Sequence, residues 1–189
     1  MEALLQILGG VFYLLNKILF SLSERAEKSG SKDLKKWLRV ASWLACLIGL
    51  PAWVILFVIR HDWIAACLES SAVPSIVLGI ITALKGSSKA YKLLDRLSIV
   101  AIVLGLGYSI YDLGGFRSLS QWLEIVLAST FLAGTYFLAK KNANGYLWYI
   151  AMHISCAWLT ANQGFPMLAA QQLASLLFII DAYRFAMKK

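Results

Sequence analysis

Residues 145–161 read GYLWYIAMHISCAWLTA, and after Asn162-Gln163-Gly164 the chain resumes as FPMLAAQQLASLLFIIDAYRFAMKK to Lys189. The reading is two apolar helices joined by a tight turn, each near the roughly 20 residues that cross a bilayer core. Both carry polar groups that a lipid-facing helix avoids. At 100° per residue, Tyr146, Tyr149, His153, Cys156 and Thr160 fall in one narrow arc, and Gln171, Gln172 and Ser175 form a stripe on the next helix. Polar side chains at membrane depth are costly unless they face protein or a water-filled space. The stripes are therefore expected to face either an internal cavity that accepts a solute or a neighbouring helix, to which they bond.

Composition sets the class. The 189 residues are 60% hydrophobic and only 15% charged, against about 25% charged in a soluble domain. Charges cluster between long uncharged runs, so an all-α integral membrane protein is expected, with the bilayer as a partner. The net charge of +8 does not point to nucleic acid, because the basic residues punctuate apolar spans and do not coat a soluble face. The N-terminal run has no basic opening and no clear cleavage site, so it reads as a retained helix. Cys46, Cys67 and Cys156 sit in apolar segments at no metal-ligand spacing and read as small buried hydrophobes. No metal, cofactor or catalytic residue is expected.

Seven spans can be drawn: 2–22, 36–59, 62–84, 94–113, 119–139 and the pair above, in one transmembrane domain. In this division residues 1–84 are a first three-helix bundle, 94–113 a linker helix and 119–187 a second three-helix bundle. Lys17, near the end of the first span, is expected to snorkel toward the basic segment 23–36. Sixteen of the 18 basic residues fall in alternate connections and at the C-terminal end, leaving Arg60 and Arg117 for the other side. Cytoplasmic loops retain Lys and Arg, which places the N-terminus outside and the C-terminus inside. Trp37, Trp63, Trp122, Trp148 and Trp158 lie near span ends, where aromatic belts form, whereas Trp43 and Trp53 are expected inside the bundle. Pro74 predicts a kink in the third span, and Gly105 and Gly107 predict close helix approach in the fourth.

The three-plus-one-plus-three division implies a parallel repeat about an axis along the membrane normal. Laying WIAACLES from Trp63 on FPMLAAQQ from Phe165 places Glu69 opposite Gln171 and Ser70 opposite Gln172.

This layout resembles the SWEET-type transporters. More specifically, FLAKKNANGYLWYIAMH (137–153) followed by GFPMLAAQQLASLLFIIDAYRF resembles the PnuC family of bacterial nicotinamide riboside transporters. The family pattern is a basic loop, then Trp-x-x-Trp-x-x-x-Asn or Asp, then a short turn and a closing helix. Tyr146, Tyr149 and His153 keep its spacing with different residue types. The resemblance implies facilitated diffusion of a small-molecule substrate by alternating access, in a bacterial inner membrane. Nicotinamide riboside carries a cationic ring, which aromatic faces attract by about 0.5–2 kcal/mol. Tyr146 and Tyr149 would supply those faces, Gln171 and Gln172 the amide partners, and Glu69 the balancing carboxylate.

Each candidate has a structural alternative. Glu69 is either that counter-charge, a group paired with Ser70 or a neighbouring helix, or a carboxyl protonated by burial. His153 is a proton relay, a solute ligand or a satisfied packing histidine, and haem ligation lacks a second axial group on a facing helix. Asp181 is expected to pair with Arg184 one turn away. The expected function is a transporter for nicotinamide riboside or a related pyridine or nucleoside compound. A SWEET-like sugar transporter and a non-transporting membrane subunit are the alternatives, and a homo-oligomer is compatible with each. No arrangement of nucleophile and base supports an enzyme.

Overall fold

The structure is a computed structural model of the chain. It describes residues 1–86, 91–112, 119–162, 164 and 166–187, without the side chains of Asp112, Ser120 and Met167. Lys89, Arg117, Lys188 and Lys189, four of the residues counted in the charge asymmetry, lie outside the described residues. Among the described residues eight helices follow one another: α1 (Glu2–Lys28), α2 (Lys32–Ile59), α3 (Trp63–Ser71), α4 (Val73–Lys85), α5 (Lys92–Asp112), α6 (Leu119–Ala139), α7 (Asn144–Asn162) and α8 (Pro166–Ala186). Among the described residues there is no strand.

Among the described residues five stretches are long and apolar enough to cross a membrane: Glu2–Lys28, Lys32–Ile59, Trp63–Lys85, Lys92–Tyr111 and Gln121–Ala139. The third of these is α3 and α4 together, broken at Ala72. Pro74 supplies no N–H to Ser70 and falls at the start of α4, so one helix ends and the next begins there. The kink predicted from Pro74 is thus a break.

Two helices run further than their apolar patterns. The segment expected as a connection over 23–36 is almost entirely helical, and α1 continues to Lys28. Ser23, Glu24 and Ala26 are buried on its inner face, so packing extends the helix where hydropathy stops. Gly30, at φ +80°, then ends it. The Ser31 and Gly30 amides reach back to the Ala26 and Glu27 carbonyls, the paired bonds of a Schellman stop. The same motif ends α2 at His61 and α6 at Lys141, both at positive φ although neither is glycine.

The helices close a ring: α1 lies between α2 and α8, α2 meets α4, α4 meets α6, α6 meets α7, and α7 meets α8. Outside it, α5 packs on α3, α4 and α6. Small residues set the spacing. A Cβ at Gly145 would come 2.8 Å from the Leu138 amide nitrogen and 2.9 Å from the Gly134 carbonyl oxygen, so α6 and α7 meet backbone to backbone. Gly105 leaves room for Ser71 of α3, whereas a Cβ at Gly107 would meet nothing within 4 Å; only the first of the two predicted glycines lies at a close approach. Trp43 is buried against Gly79 and Phe20, and Trp53 is half-buried beside Gly9. The five tryptophans assigned to span ends are all exposed.

Candidate functional site

The ring interior holds a column of polar side chains contributed largely by one face of α1. Gly10, Tyr13, Lys17, Ser21 and Glu24 recur at three- and four-residue steps, so they share a face. Several partners lie on helices whose backbones do not neighbour α1. Their side chains therefore meet across the ring.

At one level, the Tyr13 hydroxyl donates to Glu69 Oε2 at 2.5 Å. One turn away on the same helix, the Gly10 carbonyl accepts from Gln171 Nε2 at 2.9 Å. A side chain at Gly10 would strike that amide. Glu69 is half-buried and its partner is Tyr13, while the Ser70 hydroxyl donates to its own helix at Ala66. The helix-pairing alternative for Glu69 is realised, and Ser70 is not the partner. Glu69 and Gln171, aligned by the internal repeat, both bond to α1; Ser70 and Gln172 have no such common partner.

The next level is organised by Lys17, which is 3% exposed. Its ammonium donates to Asn16 Oδ1 at 2.8 Å, while Asn16 Nδ2 donates to the Ser42 carbonyl at 2.7 Å. Nζ stands 4.2 Å from the Tyr149 ring centroid and 5.9 Å from that of Tyr13. This corrects the expectation that Lys17 snorkels outward. Aromatic faces and the Asn16 amide hold the charge inside. The aromatic surface expected to receive a solute cation already holds a cation of the chain itself.

Tyr149 is fully buried. Thr135 Oγ1 donates to the Phe131 carbonyl, so the Tyr149 hydroxyl, 2.9 Å from Thr135 Oγ1, is the donor between them. His153 stands edge-on to Tyr149, with ring centroids 6.4 Å apart. Its Nδ1 meets Gln172 Oε1 at 2.7 Å. An amide oxygen accepts, so Nδ1 carries the proton and Nε2 presents a lone pair. That buried Nε2 has no hydrogen-bond partner among the described residues.

Tyr146 belongs to a separate level. Its hydroxyl donates to Glu24 Oε1 at 2.8 Å and accepts from Arg39 Nη1 at 2.9 Å. Arg39 also binds Glu24 Oε1 at 2.5 Å and the Leu138 carbonyl at 3.1 Å. All three side chains are buried. Tyr146 is thus a hydrogen-bond partner within an internal ion pair. Asp181 is also bound across helices, to Arg25 through two bonds of 2.8 Å and to Ser21, and not to Arg184 as expected from the sequence.

Beyond the Arg39 level the column opens into a cavity of about 550 Å³. Its walls come from the end of α1, the start of α2, the end of α4, the α6–α7 turn and the end of α8. Of the six sequence-selected site residues only Tyr146 lines it. Tyr149, His153 and Gln172 form one contiguous group, Gln171 and Glu69 meet α1 nearby, and Tyr146 stands with the ion pair. The groups that organise the column, Lys17, Asn16, Tyr13, Arg39 and Glu24, were not among the six. The signal for two of them was the adjacent polar pair Asn16-Lys17 inside an apolar run, since an ionisable residue at membrane depth marks a functional site by default. Comparisons with protein-family models, with curated proteins and with solved structures find no match to this chain.

Proposed function

We propose that this chain is a membrane transporter for a small polar solute, moving it along the axis of the helical ring. The observation that carries this reading is the buried polar and aromatic column, running from Glu69 and Tyr13 past Lys17 and Tyr149 to an open cavity at the basic end. A membrane bundle that only had to be stable would gain little from an ammonium group inside it. In this reading α3 and α4 form one broken span, the helices make seven spans, and the basic end faces the cytoplasm. The break at Ala72 lies close to Glu69, as discontinuous helices do beside transporter sites.

Nicotinamide riboside is the solute that the resemblance of residues 137–153 names, and a bacterial inner membrane is the location it implies. Lys17 sets a condition on it: a cationic ring must displace the ammonium from Tyr149 or bind beside it. Reconstitution into liposomes and uptake of radiolabelled nicotinamide riboside, nicotinamide and a sugar panel test the proposal. Saturable uptake of at least one, abolished by Tyr149→Leu, is the expected result. Uptake equal to protein-free liposomes for every solute would sink it.

The mutual bonding of Tyr149 with Thr135 and of His153 with Gln172 favours a second reading, a non-transporting membrane subunit. It predicts that same absence of uptake from a folded, monodisperse protein.

A further inference from the structure

We propose that the cavity at the basic end is a binding site for a phosphate-bearing anion. This assignment stands on the cavity alone and does not depend on transport.

Six basic side chains line the cavity against two carboxylates, Glu24 and Glu27. The carboxylates are already committed: Arg39 and Lys35 hold Glu24, and Lys35 also holds Glu27 at 2.5 Å. The other four cations, Lys32, Lys36, Lys85 and Lys141, have no carboxylate within ion-pair distance among the described residues. They come from three separate parts of the chain, at the start of α2, the end of α4 and the α6–α7 turn. The cavity's volume, about 550 Å³, lies within the range of small-ligand sites, about 300–1,000 Å³.

A general cytoplasmic bias toward Lys and Arg explains basic residues at this end. It does not explain their arrangement around a concavity, nor the backbone at Lys141. That residue ends α6 at φ +59°, in the left-handed region, where glycine is the usual occupant. A lysine held there against its backbone preference is a strained feature of the kind that collects at ligand sites. Partial burial and the nearby Arg39 guanidinium also pull the Lys141 ammonium below its ordinary value, against the opposing pull of Glu27. A phosphate group is the complementary ligand: it is compact, carries up to two charges, and accepts bonds from several ammonium groups at once.

The phosphate can belong to a soluble ester or to the headgroup of an anionic lipid at the membrane surface. Two arms separate these sources. In the first, protein in neutral detergent is titrated with inorganic pyrophosphate and with adenosine monophosphate, and binding is read by thermal shift, with adenosine as the uncharged control. In the second, the protein is placed in nanodiscs of phosphatidylglycerol or phosphatidylcholine, and lipid retained through purification is counted by mass spectrometry. The test variants are Lys141→Gly and Lys36→Ala/Lys85→Ala, and Lys92→Ala, at the start of α5, is the basic control outside the cavity.

Binding in either arm is expected to weaken at least tenfold in both variants, to fall with salt, and to be unchanged by Lys92→Ala. Lys141→Gly relieves the strained φ, so its unliganded melting temperature should hold, which separates lost binding from lost folding. Absence of phosphate-dependent binding in both arms overturns the assignment. So does binding that survives both variants, or that adenosine reproduces.

Discussion

Replacing Tyr149 by leucine in two backgrounds measures whether the buried ammonium is held by an aromatic face. Lys17 Nζ lies 4.2 Å from the Tyr149 centroid in a site with no carboxylate at ion-pair distance among the described residues. A desolvated contact of this type contributes about 2 kcal/mol. Tyr149→Leu also removes the hydroxyl bond to Thr135, worth about 1 kcal/mol, and leaves a packing defect of about 1–2 kcal/mol. The total expected cost is about 4–5 kcal/mol. Tyr149→Phe keeps the face. Thr135 keeps Phe131 as its acceptor, so no buried group is orphaned and the cost should be only about 1 kcal/mol. In a Lys17→Met background the cation is gone, and Tyr149→Leu should cost about 2 kcal/mol less than in the native chain. Reversible unfolding in mixed micelles gives the free energies directly. In a melting experiment the coupling appears as roughly 4–8 °C, taking about 2–4 °C per kcal/mol for a chain of this length. Equal costs of Tyr149→Leu in the two backgrounds, within about 0.5 kcal/mol, would show that the ring is only a packing group and would refute the aromatic cage.

Three shorter tests address the fold. In a cysteine-free background, a membrane-impermeant thiol reagent applied to whole cells should label Asn162→Cys and spare Lys32→Cys, both exposed positions; the opposite pattern would invert the proposed orientation. Gly145→Ala forces a methyl group against the α6 backbone and should lower stability by about 1–3 kcal/mol in the same micelle assay, with an unchanged value showing that the helices separate easily. Gly30→Ala meets no atom within 4 Å, so its cost of about 1–2 kcal/mol is purely that of a left-handed backbone; a neutral result would mean that the α1 stop relaxes.

The apolar spans were legible because membrane helices must satisfy every backbone group internally, which leaves hydropathy to mark them. The Trp43 burial and the helical course of 145–161 were legible, whereas Pro74 signalled a kink where the structure has a break. Hydropathy failed where burial and polarity coincide. Ser23 to Lys28 looked like a loop because the residues are hydrophilic, yet Glu24 is buried by its pairing with Arg39. The polar stripe of α7 was legible as a stripe, but its division between Arg39 and Lys17 was not. Helical periodicity gives the side of a helix and not the level at which a distant partner arrives. Lys17 was misassigned for a related reason: snorkelling is a property of one helix at a membrane surface, and its actual partner, Tyr149, is 132 residues away in the chain.

The inner face of α1 has a consequence for biosynthesis. The ribosome makes α1 early, but Gly10 is bonded by Gln171, and Ser21 and Arg25 by Asp181, all on α8. Lys17 waits for α7. Until the last two helices are in place, α1 lacks the Gln171 bond at Gly10, the Asp181 bonds at Ser21 and Arg25, and the Tyr149 face beside Lys17. Polar groups without partners are costly at membrane depth. In the finished ring α8 covers this face of α1. A chain interrupted after Ala139 would still hold the five long apolar stretches found among the described residues and lack the α7 and α8 groups that bond to the first of them.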